Sequence, residues 1–418
     1  VRRPRWIRPL LRPREGRRLP RELKAENVGR LASRFPDGLE DPGFALLLHR
    51  IDEAPILGGN RLRLFTRGDE AFAAMCQAIG EARTEVLVES YILKDDATGR
   101  EFAARLAAAA ARGVAVKVLA DFFGSFATHS RFWAALRRSG VEARLFNPIF
   151  PQLWLQPFRD HRKILVVDRR VAFTGGMNIA DEYGSSRRRS RRGPWRDSQL
   201  RVEGPTAWDM AVVFSEAWKR SGGKIHLSRL ENPPEGPVRI LTLDSRPGRG
   251  HGETAAVLAA VAAAARRRFW ITNASFAPRH QALGHLGRAA ARGVDVRLLL
   301  PGPTDVAIVR HAGHASFRRL LAAGVRIFEY RREVLHAKTL VADDFVSIAG
   351  STNLDFRSFH FNAESNLVIL DRDVGAVFAA VFEQDLAHSQ EITTARWSRR
   401  SPLHALADSV ARLLSPLL

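Results

Sequence analysis

The chain has 418 residues and 45% hydrophobic composition, enough for two domains that each bury a core. Lysine and arginine outnumber aspartate and glutamate 65 to 44, a formal charge of +21, which favours polyanionic partners: nucleic acid, an anionic lipid surface or a phosphorylated substrate. The single cysteine, Cys76, excludes an internal disulfide framework, argues against a cysteine-based zinc site, and reads as core within AFAAMCQAIG. The absence of disulfides points to a reducing compartment, and no run approaches the roughly 20 apolar residues of a membrane span.

Residues 1–60 read as a basic arm and lead-in. The first 30 carry eleven basic and three acidic side chains, broken by Pro4, Pro9, Pro13 and Pro20. They lack the apolar stretch a signal peptide needs, so the arm is expected to be partly disordered. A first α/β domain is expected over 61–230. Glu85 to Leu93 is a strand-like run after an apolar-periodic helix. An alanine-rich helix then stops at Gly113 before a strand through Leu119, and the same step recurs from Leu136 to Phe146 around Gly140. The proline-rich and aromatic segment Asn147 to Phe158 precedes His161; it is either a loop packed on its own core or a lip that touches lipid.

His161-Arg-Lys163-Ile-Leu-Val-Val-Asp168 follows, and after six residues Gly175-Gly-Met-Asn178. Arg187 to Arg192 forms a basic run between Asn178 and Asp197, either a solvated loop or a headgroup contact. Glu231-Asn-Pro-Pro-Glu-Gly-Pro237 suits a linker, so a second α/β domain is expected over 231–390. It repeats the grammar of the first: a strand-like run from Phe269 to Phe276, a helix–Gly–strand step from Ala291 to Leu299, and another from Leu320 to Tyr330. Its motif is His336-Ala-Lys338-Thr-Leu-Val-Ala-Asp343, with Gly350-Ser-Thr-Asn353 again after six residues. From the glycine of the preceding step to the histidine is 21 residues in the first half and 12 in the second, so the extra chain lies in the aromatic loop. Residues 391–418 place Leu403, Leu406, Val410, Leu413, Leu414 and Leu417 at helical intervals behind Arg396, Arg399 and Arg400. This amphipathic helix either docks on the enzyme or lies in a bilayer interface.

Alternating helices and strands imply βαβ units and a largely parallel sheet covered on both faces. On a strand, residues i and i+2 share a face, so His161 and Lys163 project together, as do His336 and Lys338, while Arg162 and Ala337 face the other way. That arrangement suits phosphodiester chemistry. A neutral imidazole attacks phosphorus, the ammonium neutralises non-bridging oxygens, and Asn178 or Asn353 donates a further hydrogen bond. A second imidazole, protonated, serves the leaving alkoxide. Each motif provides half of such a site. Asp168 and Asp343 lie at the far end of their strands and are expected to organise the following turn.

The paired motifs resemble the HKD motifs of the phospholipase D superfamily, from about Arg61 to His388. Within it the likeness is to bacterial cardiolipin synthases without amino-terminal membrane spans, carried also by Trp195 to Pro205, Gly350 to Ser358 and Asn362 to Asn366. The resemblance implies two tandem phospholipase D-like domains, each a mixed, largely parallel sheet flanked by helices, related by a pseudo-twofold axis. It implies a phosphohistidine, by analogy on His161, with His336 as acid and base. It also implies an acidic residue on the next strand to hold each imidazole, and Asp197 and Glu364 occupy the matching places. Gly176 stands where the second motif has Ser351, so one half lacks a hydroxyl. No metal or organic cofactor is implied. The expected activity is transfer of a phosphatidyl group from one phosphatidylglycerol, or a related phospholipid, to the hydroxyl of another with release of glycerol. The expected place is the periphery of an anionic membrane, on the cytoplasmic face of the bacterial inner membrane. The alternative is a phosphodiesterase or nuclease of the same superfamily, whose basicity would serve a nucleic-acid backbone.

Overall fold

The computed structural model describes residues 19–148, 158–184, 193–228, 230, 232–246, 252–278, 280–304 and 307–414. Most of the aromatic loop, the Arg187 to Arg192 run, the first 18 residues of the basic arm and Leu417 lie outside these.

The strands are β1 (Ile56–Phe65), β2 (Glu85–Ser90), β3 (Ala115–Asp121), β4 (Glu142–Phe146), β5 (Arg159–Asp160), β6 (Lys163–Val167), β7 (Val171–Gly175) and β8 (Gln199–Glu203) in the first half. The second half has β9 (Val238–Ser245), β10 (Arg268–Asn273), β11 (Asp295–Pro301), β12 (Arg326–Tyr330), β13 (Lys338–Ala342), β14 (Val346–Gly350), β15 (Asn362–Leu370) and β16 (Ser389–Ile392). Among the described residues they form one sheet in the order β16-β12-β11-β10-β13-β14-β15-β9-β1-β8-β7-β6-β2-β3-β4, with β5 against β15. Apart from β16, the order reads the same outward from the central β9–β1 pair in both directions. The duplication seen in the sequence is therefore a pseudo-twofold about that antiparallel seam, where Ile56 pairs with Leu241 and Asn60 with Val238.

The sheet is mixed. The ladders β2–β3, β3–β4, β10–β11 and β11–β12 are parallel; the strands after each HxK run antiparallel. Antiparallel pairing takes a larger share than helix–strand alternation alone implies, because a tight hairpin rather than a helix joins β6 to β7 and β13 to β14. In all four helix–strand steps the glycine adopts a left-handed φ of +85° to +89°, at Gly113, Gly140, Gly293 and Gly324, a conformation that ends a helix without a Cβ clash.

Helices cover both faces. Side chains of β10 alternate accordingly: Phe269 and Ile271 enter a core shared with helix Gly252–Ala264, and Trp270 enters the opposite one with Phe382. That opposite core spans both halves, joining helix Pro205–Arg220 through Phe214 and Trp218 to helix Arg372–Leu386 through Phe378 and Phe382. Cys76 is half-buried against the first-half core.

The lead-in expected over 1–60 is more structured than its composition suggests. Helices Ala25–Ala32 and Pro42–Asp52 bury Val28, Phe44 and Leu48 in the second half's core beside Val257 and Val261. The start of the chain thus packs mainly on the second domain rather than on the first. At the other end, β16 extends the sheet edge on β12, and helix Pro402–Leu414 packs on helix Ala307–His314.

Candidate active site

Both HxK motifs stand where β2 and β10 end. Ser90 pairs with Lys163 and Asn273 with Lys338, so the open ends of the parallel strands face the motif lysines. The residues just before β6 and β13 cross the seam. The backbone N–H of His161 donates to the carbonyl of Ala363 at 2.9 Å, and that of His336 to the carbonyl of Arg196 at 2.7 Å. Each histidine is therefore hung on a strand of the other half.

The side chains follow the same rule. His161 Nδ1 lies 3.0 Å from Glu364 Oε2, and His336 Nδ1 lies 2.7 Å from Asp197 Oδ2. Both carboxylates are fully buried. The acidic partner on the next strand of the same half is thus not the one used; the partners are exchanged between halves. A carboxylate at Nδ1 fixes the tautomer and makes Nε2 the reacting nitrogen.

The two partners are supported differently. Glu364 accepts hydrogen bonds from Ser351 Oγ, from Ser358 Oγ at 2.7 Å and from Asn362 Nδ2 at 3.3 Å. Asp197, one methylene shorter, accepts from the backbone N–H of Ser198 at 2.7 Å, and a Cβ on Gly176 would stand 2.1 Å from its Oδ1. The missing hydroxyl of the first motif is therefore the space that the shorter acid occupies.

Lys163 donates to the carbonyl of His161 at 2.6 Å and lies 5.3 Å from the Tyr91 ring centroid, which itself meets the His161 ring edge-on at 4.9 Å. Lys338 donates to the carbonyl of His336. Burial, then the charges of Lys163, Lys338 and His336, holds His161 well below the usual imidazole range. His336 is lowered by burial and Lys338, with Asp197 pulling the other way. Burial brings Lys163 down to about 7 and Glu364 up to about 7, in each case against the attraction of the other. The centre is a desolvated, positively biased pocket, in which an arriving phosphodiester anion favours the charged form of Lys163.

Asn178 is turned to structural partners: its Oδ1 accepts from the backbone N–H of Ile92 at 3.1 Å, and its Nδ2 donates to Tyr183 Oη at 2.9 Å. Tyr183 Oη is in turn 3.4 Å from His336 Nδ1, and Trp195 packs its ring 5.4 Å from that imidazole. Asn353 donates its backbone N–H to Ser358 Oγ at 3.2 Å, and its buried Oδ1 has no partner among the described residues. Asp168 and Asp343 lie at the far ends of β6 and β13, each the first of two left-handed residues in a hairpin turn. Asp168 accepts backbone N–H groups of Arg83, Thr84 and Glu85, and Asp343 those of Arg266, Arg267 and Arg268. Each thereby ties its hairpin to the entry of β2 or β10. Arg162 does face away from the site, into a buried cluster with Asp244 at 2.5 Å and Glu89 at 3.3 Å.

Sequence reasoning missed Tyr91 and Tyr183. Tyr91 lies within the strand-like run Glu85 to Leu93, directly after β2, whose neighbour carries the HxK, a usable signal; Tyr183 has none.

A duplicated α/β fold that places two His–Lys pairs on one seam, each imidazole anchored by a carboxylate, defines a phosphodiester-transferring enzyme of the phospholipase D type. A family model described as "Cardiolipin synthase, PLD-like domain" matches residues 75–187 and 258–386, more than half of the chain, and the chain belongs to that family of phosphatidyltransferases. It is 33% identical over 434 residues to cardiolipin synthase 1 of Bacillus anthracis, covering 100% of this chain and 84% of that protein. It is 35% identical over 374 residues to cardiolipin synthase A of Pseudomonas syringae pv. syringae, covering 88% and 77%. Among solved structures, phosphatidylserine synthase of Haemophilus influenzae superposes with a TM-score of 0.70 at 13% identity, covering 88% of this chain and 98% of that one, a likeness of fold.

Proposed function

We propose that the protein joins two phosphatidylglycerol molecules, or a related phosphatidyl donor and an alcohol acceptor, through a phosphohistidine. Nε2 of His161 attacks the donor phosphorus, and the P–O bond to the leaving glycerol breaks as His336 gives that oxygen its proton. The acceptor hydroxyl then passes its proton to His336 and attacks phosphorus. The N–P bond breaks and the neutral imidazole of His161 returns. Lys163 and Lys338 carry the negative charge of the non-bridging oxygens. His161 is assigned as nucleophile by analogy with two-motif members of the superfamily, and burial, which lowers its basicity well below the usual imidazole range, is in keeping with an unprotonated imidazole there. The observation that carries the reading is the crossed anchoring of the imidazoles, which gives one site two histidines fixed at Nδ1.

We also propose a peripheral place on an anionic membrane, with the surplus positive charge toward the headgroups of the cytoplasmic leaflet. No helix among the described residues is long and apolar enough to cross a membrane. Helix Pro402–Leu414 turns Asp408 and Ala411 inward, where Asp408 pairs with Arg400 and with His311 at 2.8 Å, and leaves Leu403 76% exposed with Leu406 and Val410. An apolar face turned outward is what an interfacial helix presents. Phe123 and Phe126, the latter 71% exposed, follow β3 next to the site. Phe123 and Phe126 thus follow the open end of β3, and helix Pro402–Leu414 packs on helix Ala307–His314, which follows that of β11. Incubating the protein with labelled phosphatidylglycerol vesicles, and separately with plasmid DNA, tests the reading. Formation of a diphosphatidyl product with glycerol release supports it; DNA cleavage without any lipid product refutes it.

A further inference from the structure

A half-open cavity of about 470 Å³ lies between the second half of the sheet and its helices. Ala255, Leu258, Ala259 and Ala262 line it from helix Gly252–Ala264. Their i, i+3, i+4, i+7 spacing places them in one stripe, and three alanines there leave room that larger side chains would fill. Phe269 and Ile271 of β10 form the floor. The wall is mainly hydrocarbon, and His285 on its edge is pushed down to about 4 by burial, then by Arg288.

The cavity adjoins the second motif. Leu258, Ile271 and Leu354 also line a smaller cavity of about 40 Å³, whose wall includes Lys338. Leu354 directly follows Asn353 of the second motif. An apolar chamber therefore begins one residue from the motif, and three of its lining side chains also line the small cavity beside the motif's lysine.

We propose that this chamber takes one acyl chain of a phospholipid whose phosphate is held between His161 and His336, an inference that rests on the phosphatidyl-transfer reading above. Its size is within the range of small-molecule sites, about 300 to 1,000 Å³, and although Lys24, Glu26, Glu253 and Gln281 also line it, most of its exposed wall is apolar. The physical need is clear. Drawing a phosphate into a buried centre drags the first part of an acyl chain out of the bilayer, and each methylene left in water weakens partition about fourfold. A hydrocarbon-lined chamber exchanges one apolar surrounding for another and removes that penalty.

The test compares dioleoyl with dihexanoyl phosphatidylglycerol. Ala259→Phe fills the chamber and lowers the ratio of long-chain to short-chain kcat/KM by about tenfold or more, the partition of two methylenes; Leu258→Ala widens it and does not lower the ratio. A ratio unchanged by Ala259→Phe overturns the proposal. Should that variant fail to fold, the wild-type protein decides. With phosphatidylglycerol bearing a photoreactive diazirine at the end of one acyl chain, labelling of 252–264 or 280–291 supports the chamber, and labelling confined to other segments overturns it. Wild-type protein that turns over neither lipid refutes the transfer reading instead, and the labelling still decides the chamber.

Discussion

Glu364 in the second half holds Nδ1 of His161 in the first at 3.0 Å, across 203 positions of the chain. With Asp197 returning the arrangement to His336, neither half contains a complete catalytic histidine. Replacing Glu364 by Gln keeps the shape but removes the charge that stabilises the imidazolium; kcat is expected to fall by about 10² to 10⁴, the scale seen when a histidine loses its orienting carboxylate. Steady-state turnover of phosphatidylglycerol, with thermal unfolding as the control for folding, checks this.

The two histidines are expected to separate in trapping. His161→Ala leaves no covalent phosphatidyl-enzyme, whereas His336→Ala accumulates one, because the alcohol that breaks the N–P bond has lost its base. Retention of labelled lipid on protein denatured in alkali measures it, and the reverse pattern would exchange the assigned roles.

Gly176→Ser copies the second motif into the first and is expected to damage the enzyme. Its Cβ would stand 2.1 Å from Asp197 Oδ1, an overpacking that costs about 1 to 3 kcal/mol and displaces the His336 anchor. Ser351→Gly removes only one of the donors to Glu364, about 1 to 3 kcal/mol for a buried acceptor left short of a partner. The expected order, checked by kcat and by denaturant unfolding, is that Gly176→Ser lowers activity at least as much as Ser351→Gly.

Lys163, brought down to about 7 by burial, loses its proton as pH rises through that value, so the free enzyme is charged below it and neutral above. The value of kcat/KM is therefore expected to fall on the alkaline side of about pH 7, while kcat changes less because bound phosphate keeps the ammonium protonated. His161, held well below 6.5, places its acid limb below that value. A pH profile of wild-type and Lys163→Arg enzyme checks both: the contribution of Lys163 near pH 7 should vanish with the arginine, whose charge persists, leaving an alkaline limb set by deprotonation of the general acid His336.

Replacing Leu403, Leu406 and Val410 together by serine is expected to weaken binding to anionic vesicles by about tenfold or more, on the scale of the apolar area withdrawn from the interface. Turnover of a monomeric short-chain lipid should stay near the wild-type rate, since these side chains point away from the body. Vesicle flotation and a short-chain assay in parallel check it.

Local features could be read from the chain, and relations across the seam could not. The HxK spacing, the four glycine stops and the turn role of Asp168 and Asp343 depend on a few consecutive residues, and i, i+2 geometry is enough to place His161 beside Lys163. The exchange of Asp197 and Glu364 depends on which strand neighbours which, and nothing near either residue encodes that choice. The difference between Gly176 and Ser351 looked like a simple loss until the lengths of the two acids were set against it. Val28, Phe44 and Leu48 fall within the stretch read as arm and lead-in, and nothing near them encodes that they pack on the second half.

That packing has a consequence during synthesis. Helices Ala25–Ala32 and Pro42–Asp52 leave the ribosome about 200 residues ahead of the helix they cover, Gly252–Ala264. At about 5 to 20 residues per second, their apolar faces wait roughly 10 to 40 s for a partner. The nascent chain thus exposes these faces over that interval, and the slowest translated stretch between residues 52 and 252 sets how long it does so.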